Sequence, residues 1–363
     1  MKKKDNREVD FAKVLYILSG LLFILGFCLL IWFGVNFLLR NKSSDFKDSN
    51  KQSVLSPKDA PCNYRRDFDG VCVQMKEDQV ERVVGVMVEN SRDAWPLSGV
   101  ASGSIVYEAP AESGIPRLLV LYAASANVPE VGPVRSSRPY YLDWLAEYGN
   151  PIYMHVGGSE AALKIIEDRN VFGMNEMHRG WYFWRSDDRS APHNTYTSNQ
   201  LWQKAIESYS KAYVSGEITP LSWSDTRKNC ESNCFNSLVV SLSGASIYDV
   251  TWKYNTTTDQ LVRFQGGQED RDKDGTLRLA DTVIVQRVNA TVLDEIGRKQ
   301  IDTVGRGEAT IFTHGQVINA SWRKIGIGNR TEWLDASGNP VPIKPGKIWI
   351  EVVPIQGGSV NWN

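Results

Sequence analysis

GPVRSSRPYYLDWLAEYGNPIYMHVGGSEAALKII, residues Gly132 to Ile166, reads as helix, buried strand, helix. The Gly-Pro turn leads into Arg135 and Arg138, and Pro139 stands where a first helical position favours proline. Tyr140 to Tyr148 is the expected helix. Pro151 to Val156 alternates too little for a half-exposed strand, which predicts a buried strand ending at His155. Gly157 and Gly158 open the next turn, Ser159 is a natural N-cap, and Leu163, Ile165 and Ile166 give the following helix an apolar side. A helix start carries unpaired N–H groups and partial positive charge, and arginines add bidentate donors, so this stretch reads as an anion-handling site. The competing reading pairs Arg135 and Arg138 with interior carboxylates and leaves Gly157-Gly158-Ser159 as a tight turn.

Upstream, VVGVMVEN, SIVYEA and RLLVLYAA are strand-like runs, with Glu108, Glu112 and Arg117 at their ends. Paired carboxylates can act as acid and base where their surroundings separate their pKa values, or they can neutralise the nearby arginines. Downstream, WYFWRSDDRSAPHNTYTS gathers Trp181, Trp184, Arg185, Arg189, His193 and Asn194, aromatics beside polar groups as sugar binding requires, or simply core. From residue 236 onward, LVVSLS, YDVTWKYN, LVRFQ, TVIVQRV, EATIFT, QVINASWRK and KIWIEVV are short strands separated by turns. The expected fold class is α+β: a membrane anchor helix, an N-terminal mixed α/β domain over 81–220 and a C-terminal β-rich domain over 236–354.

A formal net charge of -1 over 363 residues, with no long basic stripe, argues against a sequence-independent binder of nucleic-acid backbones. Val14 to Leu39 holds 26 residues without a charge, enough for a transmembrane helix. Lysines 2, 3, 4 and 13 with Arg7 precede it, placing the tail 1–13 in the cytoplasm and everything after the 40–80 tether outside. Four cysteines lie on that outer side, Cys62 with Cys72 and Cys230 with Cys234, and two local disulfides are the simplest pairing. DRDKDGTLRLAD sets Asp270, Asp272, Asp274 and Asp281 at calcium-loop positions, although Arg278 and strand-like flanks also fit an Asp-rich hairpin. No cofactor is required by any other motif.

The chain resembles the YerB-like family of bacterial surface lipoproteins, a two-part domain of unknown function. VMVEN, SGVASGSIVYEAPAESGIPRLLVLY, VGPVRSSRPYYLDWLAEY, YMHVGGSEAAL and RSAPHNTYTS carry the likeness in the first part; YDVTWKYN, LADTVIVQRV, GRGEATIFTHGQVINASWRK and PGKIWIEVVP carry it in the second. It implies an extracytoplasmic, membrane-attached protein, here with a transmembrane segment where the lipoproteins have a lipid-attachment cysteine. It supplies no reaction. Two functions follow from the residues: a module that binds a cell-envelope glycan or anionic polymer through Arg117, Arg135, Arg138, Gly157, Gly158, Ser159, Arg189 and Asn194, or an envelope hydrolase or transferase using Glu108, Glu112, His155 and His193 as acid and base. The chain has no Gly-x-Ser-x-Gly elbow, His-Glu-x-x-His or Walker loop.

Overall fold

Val83–Glu89 (β1), Ile105–Pro110 (β2) and Pro116–Ala123 (β3) are buried along their whole length, which is why they read as continuous apolar runs. Alternate residues serve opposite faces: Val84, Val86 and Val88 join one core, Val83 and Met87 another. A computed structural model describes residues 62–363, apart from 210, 211, 213, 214, 227–229 and 231. The tail, the expected transmembrane helix and the tether up to residue 61 lie outside the described residues. Among the described residues no helix is long and apolar enough to cross a membrane.

The strands that build the main sheets are, further along the chain, Ile152–His155 (β4), Gly173–Asn175 (β5), Ser237–Ser241 (β6), Val250–Asn255 (β7), Gln260–Gln265 (β8), Thr282–Val288 (β9), Gly305–Thr313 (β10), Gln316–Lys324 (β11), Glu332–Leu334 (β12), Ile348–Pro354 (β13) and Ser359–Trp362 (β14). Ten of them form one mixed sheet in the order β12-β11-β10-β9-β13-β2-β3-β1-β4-β5. The stretches 81–220 and 236–354 therefore share a sheet, joined where β13 runs parallel to both β9 and β2. Pairing directions make β1, β2, β4, β5, β9 and β13 point the same way, so their carboxyl ends lie along one edge. The architecture is α+β and rich in β structure.

One face of this sheet is covered by a second, antiparallel sheet containing β8-β7-β6-β14, with Trp252 meeting Trp349 edge to face at 5.2 Å. Helix Asn199–Tyr209 also packs there through Trp202 and Ala205. Helices Pro139–Leu145 (α1) and Glu160–Asp168 (α2) cover the other face. Helix α1 comes close enough that a Cβ on Gly85 of β1 would stand 2.5 Å from Leu145 Cδ1. The expected helix, buried strand and capped helix of Gly132–Ile166 are all present, with Ser159 Oγ accepting from the Ala162 N–H at 3.3 Å. Disulfides join Cys62 to Cys72 and Cys230 to Cys234.

Candidate functional site

The segment Arg135–Ser137 is stitched between β1 and the glycine turn. Arg135 N donates to Met87 O at 2.8 Å, Val156 N to Arg135 O at 3.0 Å and Ser137 N to Gly157 O at 3.1 Å. Ionisable groups consequently meet at the carboxyl ends of β1 and β4, where an open mixed sheet offers a crevice. Glu89, the last residue of β1, accepts from Ser91 Oγ at 2.7 Å, lies 2.9 Å from His193 Nδ1 and stands 3.4 Å from Arg135 Nε. Opposite Glu89 on β3, Arg117 donates to Ser136 O at 2.6 Å and pairs with Glu112 at 3.4 Å. Glu112 is shared with Arg138 Nε. Burial acts to raise the Glu112 pKa, but the Arg138 hydrogen bond and the Arg117 charge outweigh it and hold the carboxyl below its usual value. Glu112 is thus an ionised counter-ion for two arginines.

His155 lies beside this cluster yet turns inward. Its Nδ1 is 2.8 Å from the Gly157 carbonyl, its ring stacks on Tyr153 at 4.8 Å, and Nε2 has no partner among the described residues. Burial lowers its pKa to about 4 against the opposing pull of the Gly157 carbonyl, so the imidazole is neutral at physiological pH. With Nδ1 protonated it buttresses the turn. Gly157 itself has φ +60, the left-handed region that glycine tolerates, and its N–H donates to Asn175 Oδ1 at 2.8 Å.

Next to Arg138 opens a cleft of about 420 Å³. Arg138, Ser159, Glu160 and Lys164 line one wall, and Asp294, Arg298 and Lys299 of the loop and strand after β9 line the other. Four cations face two carboxylates there. Arg298 is occupied by Asp294 and Lys164 by Asp168, whereas the half-buried Lys299 makes no ion pair among the described residues. The Glu160 and Ala161 amides at the start of α2 also have no protein partner among the described residues, as expected for a helix N-terminus.

The remaining expected site residues go elsewhere. Glu108 faces the opposite side of the sheet, fully buried, where Arg263 Nη2 binds it at 2.6 Å, Asn90 at 2.8 Å and Trp349 Nε1 at 3.2 Å. Its register neighbour on β13 is Glu351, also fully buried. Arg189 donates to the carbonyls of Ala94 and Pro96, the latter at 2.7 Å. Asn194 bonds Ser186 and Arg185. Asp270 binds Arg263 and Arg278; Asp272 binds Arg278 and the Ala101 N–H. Asp274 caps its own turn through the Thr276 N–H, and Asp281 binds Lys344 and the Lys347 N–H. Among the described residues no three His, Cys, Asp or Glu side chains are grouped to hold a metal ion. Calcium at this loop would have to displace Arg278.

Sequence reasoning missed Glu89, Glu351, Arg263 and Lys299. The signal for three of them was a charge inside a strand pattern, in VMVEN, IWIEVV and LVRFQ.

The first half of the chain, residues 70–212, matches the N-terminal domain of the family "Protein of unknown function (DUF3048)", and residues 239–350 match its C-terminal domain. "Putative lipoprotein YerB" of Bacillus subtilis (strain 168) is 32% identical over 277 residues, 75% of this chain and 81% of that protein. The crystal structure of the Bacillus subtilis YerB protein superposes with a TM-score of 0.71 at 29% identity, covering 82% of this chain and 99% of the other. Matches to both halves, together with a relative aligned across three quarters of the sequence, place the chain in the two-part DUF3048 family to which YerB belongs.

Proposed function

We propose that the protein is held at the membrane with its folded part outside the cytoplasm, where it binds an anionic cell-envelope polymer in the cleft between α2 and the loop after β9. The observation that carries the ligand reading is Lys299, which makes no ion pair among the described residues, in a cleft whose other three cations, Arg138, Lys164 and Arg298, are paired with Glu112, Asp168 and Asp294. The open amides of Glu160 and Ala161 add donors suited to phosphate or carboxylate oxygens. Three of the four groups considered as acid and base support an enzyme less well: Glu108 is sealed under the second sheet, His155 is buried and neutral, and Glu112 is held ionised by two arginines, while the fourth, His193, stands 2.9 Å from Glu89.

Full-length protein titrated with poly(glycerol phosphate) is expected to bind saturably at low salt. Lys299→Glu should weaken binding about tenfold or more, and raising the salt to about 0.5 M should weaken it further, as screening of a partly exposed site requires. Wild-type protein that ignores the polymer, or binding unchanged in Lys299→Glu, would remove this reading.

The membrane part of the proposal rests on the uncharged run 14–39, its basic flank and the lipoprotein name of the Bacillus relative. Protease added to intact cells is expected to digest the region after Arg40. Protection of that region until the membrane is opened would reverse the topology.

A further inference from the structure

We propose that a second cleft, of about 530 Å³ between the Trp95 loop and the 265–275 hairpin, is a binding site for an uncharged N-acetylated saccharide. It is separate from the anion cleft and does not depend on that assignment.

The first observation is a fixed aromatic platform. Trp95 is half-buried, and its Nε1 donates to Asn90 Oδ1 at 2.8 Å, while Asn90 is itself tied to buried Glu108. Tyr248 supports the indole edge-on at 6.0 Å, and Arg189 grips the carbonyls on either side of it, at Ala94 and Pro96. Opposite stands the two-residue turn Gly266-Gly267, both with positive φ. A Cβ on Gly266 would stand 3.9 Å from Trp95 Cζ3, so this turn lies within van der Waals reach of the ring edge. An indole already held in place loses little entropy when it stacks on the apolar face of a pyranose.

The second observation is Gln265, which lines the cleft and is 6% exposed. Its Oε1 accepts from Arg263 Nη1 at 3.0 Å; a guanidinium only donates, so this atom is the oxygen and the other is the nitrogen. That nitrogen, Nε2, has no partner among the described residues. A buried donor left open is costly and would be satisfied by a carbonyl oxygen on a ligand, such as that of an acetamido group.

The third is charge. The lining carries three cations, Arg92, Arg271 and Lys273, and three carboxylates, Glu269, Asp270 and Asp272; Arg271 pairs with Glu269, Lys273 with Asp188 and Glu130, and the two aspartates with Arg263 and Arg278. A flat apolar ring face, a carbonyl acceptor and no net charge together describe an N-acetylhexosamine. Arg189 acts here as a positioning residue behind the Trp95 loop.

The probe is the β-1,4-linked tetramer of N-acetylglucosamine, titrated calorimetrically into the full-length protein. Saturable binding is expected, weakened about tenfold in Trp95→Ala and about threefold to tenfold in Gln265→Leu, and unchanged in Arg323→Ala on the distant β11. Should Trp95→Ala fail to fold, Gln268→Ala on the exposed rim takes its place, with about threefold weaker binding expected and unchanged binding counting against the site. No saturable binding at millimolar tetramer, or undiminished binding in folded Trp95→Ala, overturns the proposal; so does loss of tetramer binding in Lys299→Glu, which would move the sugar to the other cleft. Tetramer binding as described, without retention of poly(glycerol phosphate), would leave this inference standing and remove only the anion site.

Discussion

Arg263→Met is expected to destabilise the fold by about 3 to 5 kcal/mol, the cost of stranding buried charges by removing one partner. Arg263 is fully buried between the two sheets. It binds Glu108 at 2.6 Å, Asp270 and Gln265, and its guanidinium lies 4.7 Å from the Trp349 ring centre. Methionine matches much of its length and none of its donors, so Glu108 would keep only Asn90 and Trp349 and would carry its charge in a dry interior. Urea denaturation at neutral pH reads the loss directly. Adding Glu108→Gln should return part of it, because the charge left without its partner is then gone, and the double variant should lie about 0.5 to 3 kcal/mol above the sum of the single ones. A loss below about 1 kcal/mol would mean that the network is solvated and that Arg263 is not its keystone.

The local order of Gly132–Ile166 was legible because its determinants are local: proline at a first helical position, an apolar run of strand length, and serine ahead of an amphipathic helix. The two disulfides were legible from spacing. The partners of the charges were not, because they depend on strand order. Glu108 looked like a strand-end acid beside Arg117, yet its side chain points to the opposite face and meets Arg263, 155 residues away. Period-2 alternation contains that information: Leu118 and Leu119 serve different cores, and Glu108 falls on the face of Val106 while Arg117 falls on the face of Leu119. What could not be read was that a strand from the end of the chain, β13, would slot in beside β2 and bring Glu351 next to Glu108. The same holds for Glu147 and Lys324, a fully buried pair at 2.5 Å whose positions differ by 177 in sequence. Similarly, the wall of the anion cleft that carries Lys299 comes from the second half of the sequence, so the first half could show only the arginine side.

Glu351→Gln is expected to leave stability nearly unchanged near pH 5 and to raise it at pH 8. Glu351 is sealed between the sheets and sits next to Glu108, and burial followed by repulsion from Glu108 raises its pKa from 4.5 to about 8, despite the nearby Arg263 charge. The charge count explains the direction. Arg263 and Arg278 already face three carboxylates, Glu108, Asp270 and Asp272, so a further negative charge has no cation to meet. Both oxygens of Glu108 accept hydrogen bonds, whereas Glu351 accepts one from Trp252 at 2.8 Å and its second oxygen has no partner among the described residues. Between pH 4.5 and 8 the folded protein therefore holds a proton on Glu351 that the unfolded chain has released. Stability contributed by that proton is complete below the lower value and is lost as pH rises through the upper one, by up to about 1.4 kcal/mol per pH unit. Glutamine carries no proton to lose and keeps the acceptor for Trp252, so the gap between variant and wild type should open steadily from pH 5 to pH 8 in urea denaturation. Parallel pH profiles for the two proteins would show that Glu351 is ionised in the fold, and the excess of carboxylates would then need a cation other than the two arginines.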